Sequence, residues 1–199
     1  LLEMTAHRPS PLPIARWNFF QEWHEAIFLH YEVDPIALKS LVPQGLELDH
    51  FEGRNCISVV AFTMRNVRPH WLPALTAVSD FHEMNVRTYV RDAQGNSGVY
   101  FLSIDAEKWA SVALARILST LPYQKAQVRR GRNTWDWFEA KTKTGMHLKI
   151  ECRKGDPISN TSDLDRWLVE RYALFETYRN SLWCYRIHHL PWPLNPLHI

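Results

Sequence analysis

The stretch that decides the fold is Phe81–Val90, which reads FHEMNVRTYV. Its β-branched and aromatic residues favour a β-strand, in which successive side chains point to opposite faces. One face then carries Glu83, Asn85 and Arg87, which we call the polar row, followed by Tyr89. Two interpretations stay open at this point. Either the polar row is solvated and the apolar face is buried, or the polar row turns inward and lines a pocket.

The rest of the chain alternates short strand patterns with a few short helix patterns. Strand patterns lie at 26–33, 46–51, 55–67, 99–105, 124–130, 134–141, 146–153 and 181–190, and helix patterns at 34–45, 106–118 and 163–172. The turn-rich DAQGNSG predicts a hairpin between the opening strand and the strand at 99–105. The strands at 46–51 and 55–67 are expected to be neighbours. The order has no βαβ rhythm and no repeat. It predicts an α+β fold dominated by antiparallel sheet, and a closed barrel would leave no long edge exposed.

Composition limits the class of protein. A chain of 199 residues with 46% hydrophobic residues fits one domain, here taken as residues 1–199 with a proline-punctuated, extended N-terminal arm at 1–16. A net charge of +2 argues against a nucleic-acid partner, and no apolar run approaches the roughly 18 residues of a membrane span. Three widely spaced cysteines indicate neither a disulfide framework nor a zinc site. We therefore expect a cytoplasmic protein without cofactor or metal, and a homo-oligomer is compatible with this composition.

Seven segments, taken in order, resemble the YqjF-like family of uncharacterised bacterial proteins. They are FLHYEVDPIALKSLVPQGLELDHFEG, ISVVAF, FHEMNVRTYV, GVYFLSIDA, ALARILSTLPY, LVERYALF and IHHLPWPL. The match covers nearly the whole chain. That family looks like a relative of acetoacetate decarboxylase, so the resemblance implies a double-psi-like antiparallel β-barrel with a central cavity and a few short helices packed around it.

The resemblance implies only part of the decarboxylase site, which holds a Schiff-base lysine, acidic residues and an arginine. Glu83 falls in the strand that carries one pocket glutamate. ALARILSTLPY corresponds to a Gly-Arg-Glu pattern followed by Tyr-Pro-Lys, in which Arg116 keeps the arginine but Ile117 replaces the second acid. Lys149 is the one lysine expected well inside a strand rather than near its end, and alternation in MHLKIEC predicts that it faces solvent. Decarboxylase activity is therefore not expected.

The polar row is the leading candidate site. Residues two apart on a strand are separated by about 6.8 Å and residues four apart by about 13.5 Å, so Glu83 and Arg87 cannot pair directly and stay available to a ligand. The planar guanidinium of Arg87 suits a carboxylate, and Glu83 exchanges a proton if burial raises its pKa. Glu83 is thus the candidate catalytic residue, and Glu83, Asn85 and Arg87 are candidate ligand contacts.

Three further residues complete the predicted ligand contacts. Arg116 lies beside a helical stripe formed by Trp109, Val112, Ala113 and Ile117, and is either a pocket cation or a residue that extends from the stripe edge to solvent. Tyr100 and Tyr123 are expected to line the cavity or the core.

His188-His189 looks like a metal pair. Neighbouring residues on a strand point to opposite faces, so the two imidazoles are not expected to chelate one ion.

Three functions fit these patterns. The first is binding of a small organic molecule in a barrel cavity. The second is an enzyme acting on a small carbonyl or carboxylate compound by acid/base catalysis without a lysine imine. The third is a structural or interaction protein whose barrel is filled by side chains.

Overall fold

The computed structural model describes the backbone of residues 1–199 and every side chain except that of Leu118. The strands are β1 (Phe19–Glu32), β2 (Leu46–Leu48), β3 (Cys56–Pro69), β4 (Phe81–Asp92), β5 (Ser97–Ala106), β6 (Tyr123–Lys125), β7 (Gln127–Arg132), β8 (Asp136–Lys141), β9 (His147–Lys154), β10 (Ala173–Tyr178), β11 (Ser181–Arg186) and β12 (Leu197–His198). The helices are α1 (Pro35–Lys39), α2 (Thr76–Ser79), α3 (Trp109–Ser119) and α4 (Asp163–Val169).

The larger sheet has the strand order β1-β3-β4-β5-β10-β11. The predicted hairpin is present, since β4 pairs antiparallel with β5, and β3 pairs antiparallel with the other edge of β4. The predicted pairing of β2 with β3 is wrong: β2 pairs with the end of β4 beyond the part that β3 covers. A short strand after a helix is free to join any exposed edge, and its local sequence does not say which.

The smaller sheet has the order β12-β9-β8-β7 and packs against one face of the larger sheet. Three of its strands, β7 to β9, come from successive strand patterns in the second half of the chain, and β12 lies in the C-terminal tail. Met84 and Ala61 of the larger sheet pack there against Phe138 and Ile150 of the smaller one. Burying apolar side chains between two sheets is the main stabilising term of such an arrangement.

The prediction of a mostly β fold with few helices is confirmed, but the closed antiparallel barrel is not found. Among the described residues both sheets are open, and β1 and β11 form the two edges of the larger one. That sheet is also mixed, because β6 and β10 pair parallel with β5. The crossover from β5 to β6 is the helix α3, which returns the chain in the parallel direction. The chain reaches β10 only after α3, the strands β6 to β9 and α4.

A second layer covers the other face of the larger sheet. It consists of α3, α4 and the irregular segment 187–196, whose apolar side chains include Val112, Leu168 and Trp192. The start of α4 is set by a capping box between Ser162 and Asp165. We call these three elements the cover. None of the described helices is both long and apolar enough to span a bilayer.

The N-terminal arm contains neither helix nor strand through residue 16. It contacts the cover through two side chains. His7 Nε2 lies 2.8 Å from the carbonyl oxygen of His189, and Arg8 donates to the carbonyl of Ile187 at 2.8 Å. The arm therefore lies against the cover, on the far side from the smaller sheet.

Candidate functional site

The polar row is buried. Glu83, Asn85 and Arg87 are only 2%, 3% and 5% exposed, and they lie on the face of β4 that the cover protects. The apolar face of the strand is buried as well, and Met84 is fully enclosed by the smaller sheet. Because β4 lies inside a sheet covered on both sides, the polar row faces the protein interior and not solvent.

The walls beside the polar row are mostly apolar. On β3, Phe62 lies opposite Glu83 and Val60 lies opposite Asn85. On β5, Ile104 lies opposite Asn85, and a bulge after Val86 shifts the register before Arg87. Charged and amide groups in such surroundings are costly unless they are hydrogen bonded.

The hydrogen bonds of the polar row are incomplete. Asn85 donates to Oε1 of Glu83 at 3.3 Å, and the Nη2 group of Arg87 donates to the carbonyl of Leu168 at 3.4 Å. Oε2 of Glu83, Oδ1 of Asn85 and Nε of Arg87 are buried without a partner. More than nine in ten buried polar groups in folded proteins are partnered, by protein or by bound solvent. Three atoms on one strand therefore lack the partners that buried polar groups usually have.

Glu83 is poised to exchange a proton near neutral pH. Burial raises its pKa from 4.5 to about 7, the nearby amide of Asn85 and phenol of Tyr123 oppose the rise, and the charge of Asp105 adds to it. The same burial, with the neighbouring Glu83, holds the pKa of the Tyr123 phenol well above its ordinary value. Tyr123 is thus a neutral proton donor beside a carboxyl group that is present in both forms.

Arg87 lies at the other end of the polar row. Its guanidinium carbon is 5.7 Å from the centre of the Phe28 ring, and its cross-strand neighbour on β3 is Ser58. Ser58 in turn contacts His30 and Tyr89. No local pattern marks His30 or Ser58, because their proximity depends on the register of three strands.

Of the remaining predicted contacts, the structure brings only Tyr123 to the polar row. Arg116 is exposed, and its Nε donates to the carbonyl oxygen of Tyr123 at 2.6 Å, so it braces the backbone after α3. Tyr100 pairs with Thr88 across β4 and β5 and packs in the cluster on the opposite face of the sheet. The bulge after Val86 separates the two faces at this point, and the placement of Tyr100 beside the row is wrong.

The predicted apolar stripe of α3 is also wrong in part. Trp109 and Ile117 are exposed, whereas Ser111 and Val112 are buried. The helix is anchored by Ser111, whose hydroxyl donates to the carbonyl of Val78 at the end of α2 at 2.7 Å. Because the polar Ser111 lies at the centre of the buried side, the face of α3 that is buried differs from the face predicted from hydrophobic residues alone.

No lysine side chain is buried among the described residues. Lys149 is exposed beside Glu151, with 2.9 Å between Nζ and Oε1, and Lys125 donates to the carbonyl of Ala126. Beside Glu83 the chain places the phenol of Tyr123, directly after Pro122.

Two surface depressions of about 480 and 460 Å³ lie around α1 and β2, lined among others by Lys39, and neither is lined by the polar row.

The described residues contain no group of three or more His, Cys, Asp or Glu side chains arranged to hold a metal ion. His188 and His189 lie beyond the end of β11 rather than on a strand, and their imidazoles have separate partners in the arm and in the cover.

Solved structures of three proteins share the fold. The chain is similar to an acetoacetate decarboxylase from Legionella pneumophila, with a TM-score of 0.58, 17% identity and coverage of 87% of this chain and 64% of that one. It is similar to the enduracididine biosynthesis enzyme MppR, with a TM-score of 0.55, 12% identity and coverage of 82% and 63%. An acetoacetate decarboxylase-like enzyme from Sphingomonas wittichii RW1 has a TM-score of 0.55 and 16% identity, with coverage of 90% and 71%. The chain thus spans less than two thirds of the first two proteins, and identities this low show the fold alone.

Sequence comparison gives a narrower relationship. The uncharacterized protein YqjF of Bacillus subtilis strain 168 is 36% identical over 188 residues, which are 92% of this chain and 77% of that protein. The pattern of the family DUF2071, described as an uncharacterized conserved protein, matches residues 20–199. The chain therefore belongs to the DUF2071 family, and it has a fold like that of the acetoacetate decarboxylases.

Proposed function

We propose that the protein binds a small organic molecule bearing a carboxylate, held between the polar row and the cover. One observation supports this most strongly. Glu83, Asn85 and Arg87 are consecutive on one strand face, each is at least 95% buried, and each leaves one polar atom without a partner. A ligand carboxylate would accept from Nε of Arg87, and an O–H or N–H group of the ligand would donate to Oδ1 of Asn85. Oε2 of Glu83 would donate to the ligand in its protonated form or accept from it in its ionised form.

Arg87 is the proposed anchor for the carboxylate. A guanidinium offers two parallel N–H groups in a fixed plane, which match the two oxygens of a carboxylate. Its Nε is free, and its Nη2 makes only the long contact to Leu168. In low-dielectric surroundings such a charge-assisted pair is stronger than in water, and no protein carboxylate hydrogen-bonds to Arg87 among the described residues.

Access is proposed through the irregular part of the cover. Trp192, in the segment 187–196, packs edge-on against Phe28 with 5.0 Å between ring centres, and Phe28 in turn lies under Arg87. A segment without strand-to-strand backbone hydrogen bonds opens locally at a lower free-energy cost than a sheet does. Displacement of Trp192 would expose the Arg87 end of the polar row first.

The experiment is a binding titration with paired probes. Propanoate, butanoate and their 2-oxo and 3-oxo derivatives are each compared with the neutral amide of the same shape, by calorimetry and by thermal unfolding. A ligand at 100 times its Kd is expected to stabilise the folded state by about 2.7 kcal/mol. Binding is expected for at least one acid and for none of the amides.

Two matched variants locate the site. Arg87→Met is expected to abolish binding of the acid, and Arg129→Met, at an exposed position on β7, is expected to leave it unchanged. Equal losses in the two variants, or unchanged binding in Arg87→Met, would contradict the proposal. If no acid binds the unmodified protein, a structural or interaction protein with a filled interior becomes the better description.

A second candidate function is an enzyme that moves a proton on a small carbonyl compound. The observation that favours it is the pKa of Glu83, about 7, beside the neutral phenol of Tyr123. Glu83 would remove the proton next to the carbonyl, and Tyr123 would donate to the carbonyl oxygen. Hydrogen exchange of 2-oxobutanoate in D₂O, followed by proton NMR, tests it. Exchange that persists in Glu83→Gln would contradict this assignment.

A cytoplasmic location and self-association remain proposals. Cys56, Cys152 and Cys184 are free thiols in the structure, which suits a reducing compartment. Light scattering after size exclusion measures the assembly state directly, and a monomer at all concentrations would contradict a homo-oligomer.

A further inference from the structure

His30, Ser58 and Tyr89 form a chain of hydrogen bonds beside Arg87. They lie on three neighbouring strands, since Ser58 of β3 is the cross-strand partner of His30 on β1 and of Arg87 on β4. Nδ1 of His30 is 2.6 Å from Oγ of Ser58, Oγ is 2.5 Å from the Tyr89 hydroxyl, and that hydroxyl is 2.9 Å from the carbonyl oxygen of Leu168. That carbonyl is in the last turn of α4, where helix carbonyls lack partners within the helix.

The direction of every bond in this chain follows from counting protons. The carbonyl of Leu168 only accepts, so the single hydroxyl proton of Tyr89 points to it. Tyr89 then accepts from Ser58, which uses the single hydroxyl proton of Ser58. The remaining contact requires a proton on Nδ1 of His30. Three contacts and three protons leave one consistent arrangement, in which His30 is the Nδ1–H tautomer.

This tautomer leaves a lone pair on the other ring nitrogen. Nε2 is the distal nitrogen, so it extends farther from β1 toward the cover than Nδ1 does, and it has no hydrogen-bond partner among the described residues. Burial and the charge of Arg87 lower the pKa of His30 to about 4, against a smaller opposing effect from Asp165, so the ring is neutral at neutral pH. A neutral imidazole in this form accepts a hydrogen bond and does not donate one at Nε2.

We propose that His30 is the second half of the ligand site. Nε2 accepts a hydrogen bond from a hydroxyl group of the same molecule whose carboxylate is held by Arg87. His30 and Arg87 lie on one sheet face with a single strand between them, so their backbones are about 10 Å apart. Because the two side chains take up part of this separation, a short hydroxy acid of about four carbons suits it. The ligand assignment rests on the proposed carboxylate site, whereas the tautomer does not.

The tautomer is tested without any ligand. Nitrogen-15 NMR of histidine-labelled protein distinguishes a protonated from a bare ring nitrogen at each position. Nδ1 of His30 is expected to be protonated and Nε2 bare in the unmodified protein. Tyr89→Phe frees the Ser58 proton to point at His30, so the fraction of Nδ1–H is expected to fall in that variant. An Nε2–H tautomer in the unmodified protein would overturn the inference.

The ligand role is tested with hydroxy acids and their parent acid. The probes are 2-hydroxybutanoate, 3-hydroxybutanoate and butanoate, titrated by calorimetry into the full-length chain. At least one hydroxy acid is expected to bind about tenfold more tightly than butanoate, the effect of one hydrogen bond to a buried acceptor. His30→Phe is expected to remove that preference and to retain butanoate binding.

The outcomes separate the two proposals. Equal binding of butanoate and both hydroxy acids would overturn the role of His30 and leave the carboxylate site intact. A preference for a hydroxy acid over butanoate that survives in His30→Phe would likewise overturn the role of His30 and leave the carboxylate site intact. If none of the three acids binds, the carboxylate site itself fails and the ligand role of His30 fails with it, and the NMR result then shows whether the hydrogen-bond chain exists on its own.

Discussion

Replacement of Glu83 by Gln is expected to change how stability depends on pH. A buried carboxyl group with a raised pKa binds its proton more tightly in the folded state than in the unfolded chain. Between pH 4.5 and about 7 the unfolded chain therefore loses the Glu83 proton first, and the free energy of unfolding falls as pH rises. Gln has nearly the same shape and does not titrate, so the variant lacks this contribution.

The magnitude follows from the two pKa values. The difference between 4.5 and about 7, at about 1.4 kcal/mol per pKa unit, corresponds to about 3 kcal/mol. Relative to Glu83→Gln, the free energy of unfolding of the unmodified protein is expected to fall by that amount between about pH 4.5 and pH 8. The fall is steepest between the two pKa values. All other titrating groups are common to both proteins, so they cancel in the difference.

Urea unfolding at a series of pH values, followed by tryptophan fluorescence, measures this difference. Glu151→Gln is the matched control, because the Glu151 side chain is 59% exposed on β9 and is expected to give a nearly flat difference. A Glu83→Gln difference that does not change with pH would refute the reasoning. A difference of the opposite sign would mean that the folded state stabilises the ionised carboxylate.

Three further predictions concern the surroundings of the site. Asp49→Asn is expected to lower the free energy of unfolding by about 3–5 kcal/mol, because the buried guanidinium of Arg171, 2.7 Å from Asp49, loses its counter-charge. Arg91→Met, which removes the half-exposed partner of the same carboxylate, is expected to cost less than about 1 kcal/mol in the same urea assay, and equal costs would contradict the argument. Ser162→Ala is expected to lower thermal stability by about 1 kcal/mol, because it removes the capping box of α4, and an unchanged melting temperature would count against that. Borohydride added with 3-oxobutanoate is expected to leave the protein mass unchanged, since no described lysine side chain is buried, and a reduced adduct in the mass spectrum would show imine chemistry after all.

Local patterns predicted most of the elements but missed α2, β10 and β12. Asp34 and Pro35 mark the start of α1, and the Asp34 side chain accepts from the backbone of Ile36 at 2.9 Å as an N-cap. The hairpin of β4 and β5 and the capping box of α4 follow from similarly short signals. Such signals lie within a few residues of the backbone groups that they satisfy, so one sequence contains them completely.

Pairing over long distances was less predictable. β2 joins β4 rather than β3, and β10 joins β5 parallel after α4, so the sheets stay open where a closed barrel was expected. Both strands are short, and their pairing depends on which edges the rest of the chain leaves exposed. No residue within β2 or β10 reports that.

The candidate site was likewise predicted only where local patterns decide it. Alternation along the opening stretch correctly grouped Glu83, Asn85 and Arg87, but it did not say which face was buried, because both are. The bulge after Val86 placed Tyr100 on the opposite face from the one expected. A bulge adds one residue to one strand, and no strong turn residue marks it at this position.

The central claim is that the polar row holds a carboxylate, and a crystal structure with 3-hydroxybutanoate bound tests it most directly. If the polar row holds the carboxylate, both carboxylate oxygens are expected within about 3 Å of the guanidinium nitrogens of Arg87, and the hydroxyl is expected to point to Nε2 of His30. Ligand found only elsewhere on the protein, with the polar row closed by its own side chains, would contradict it.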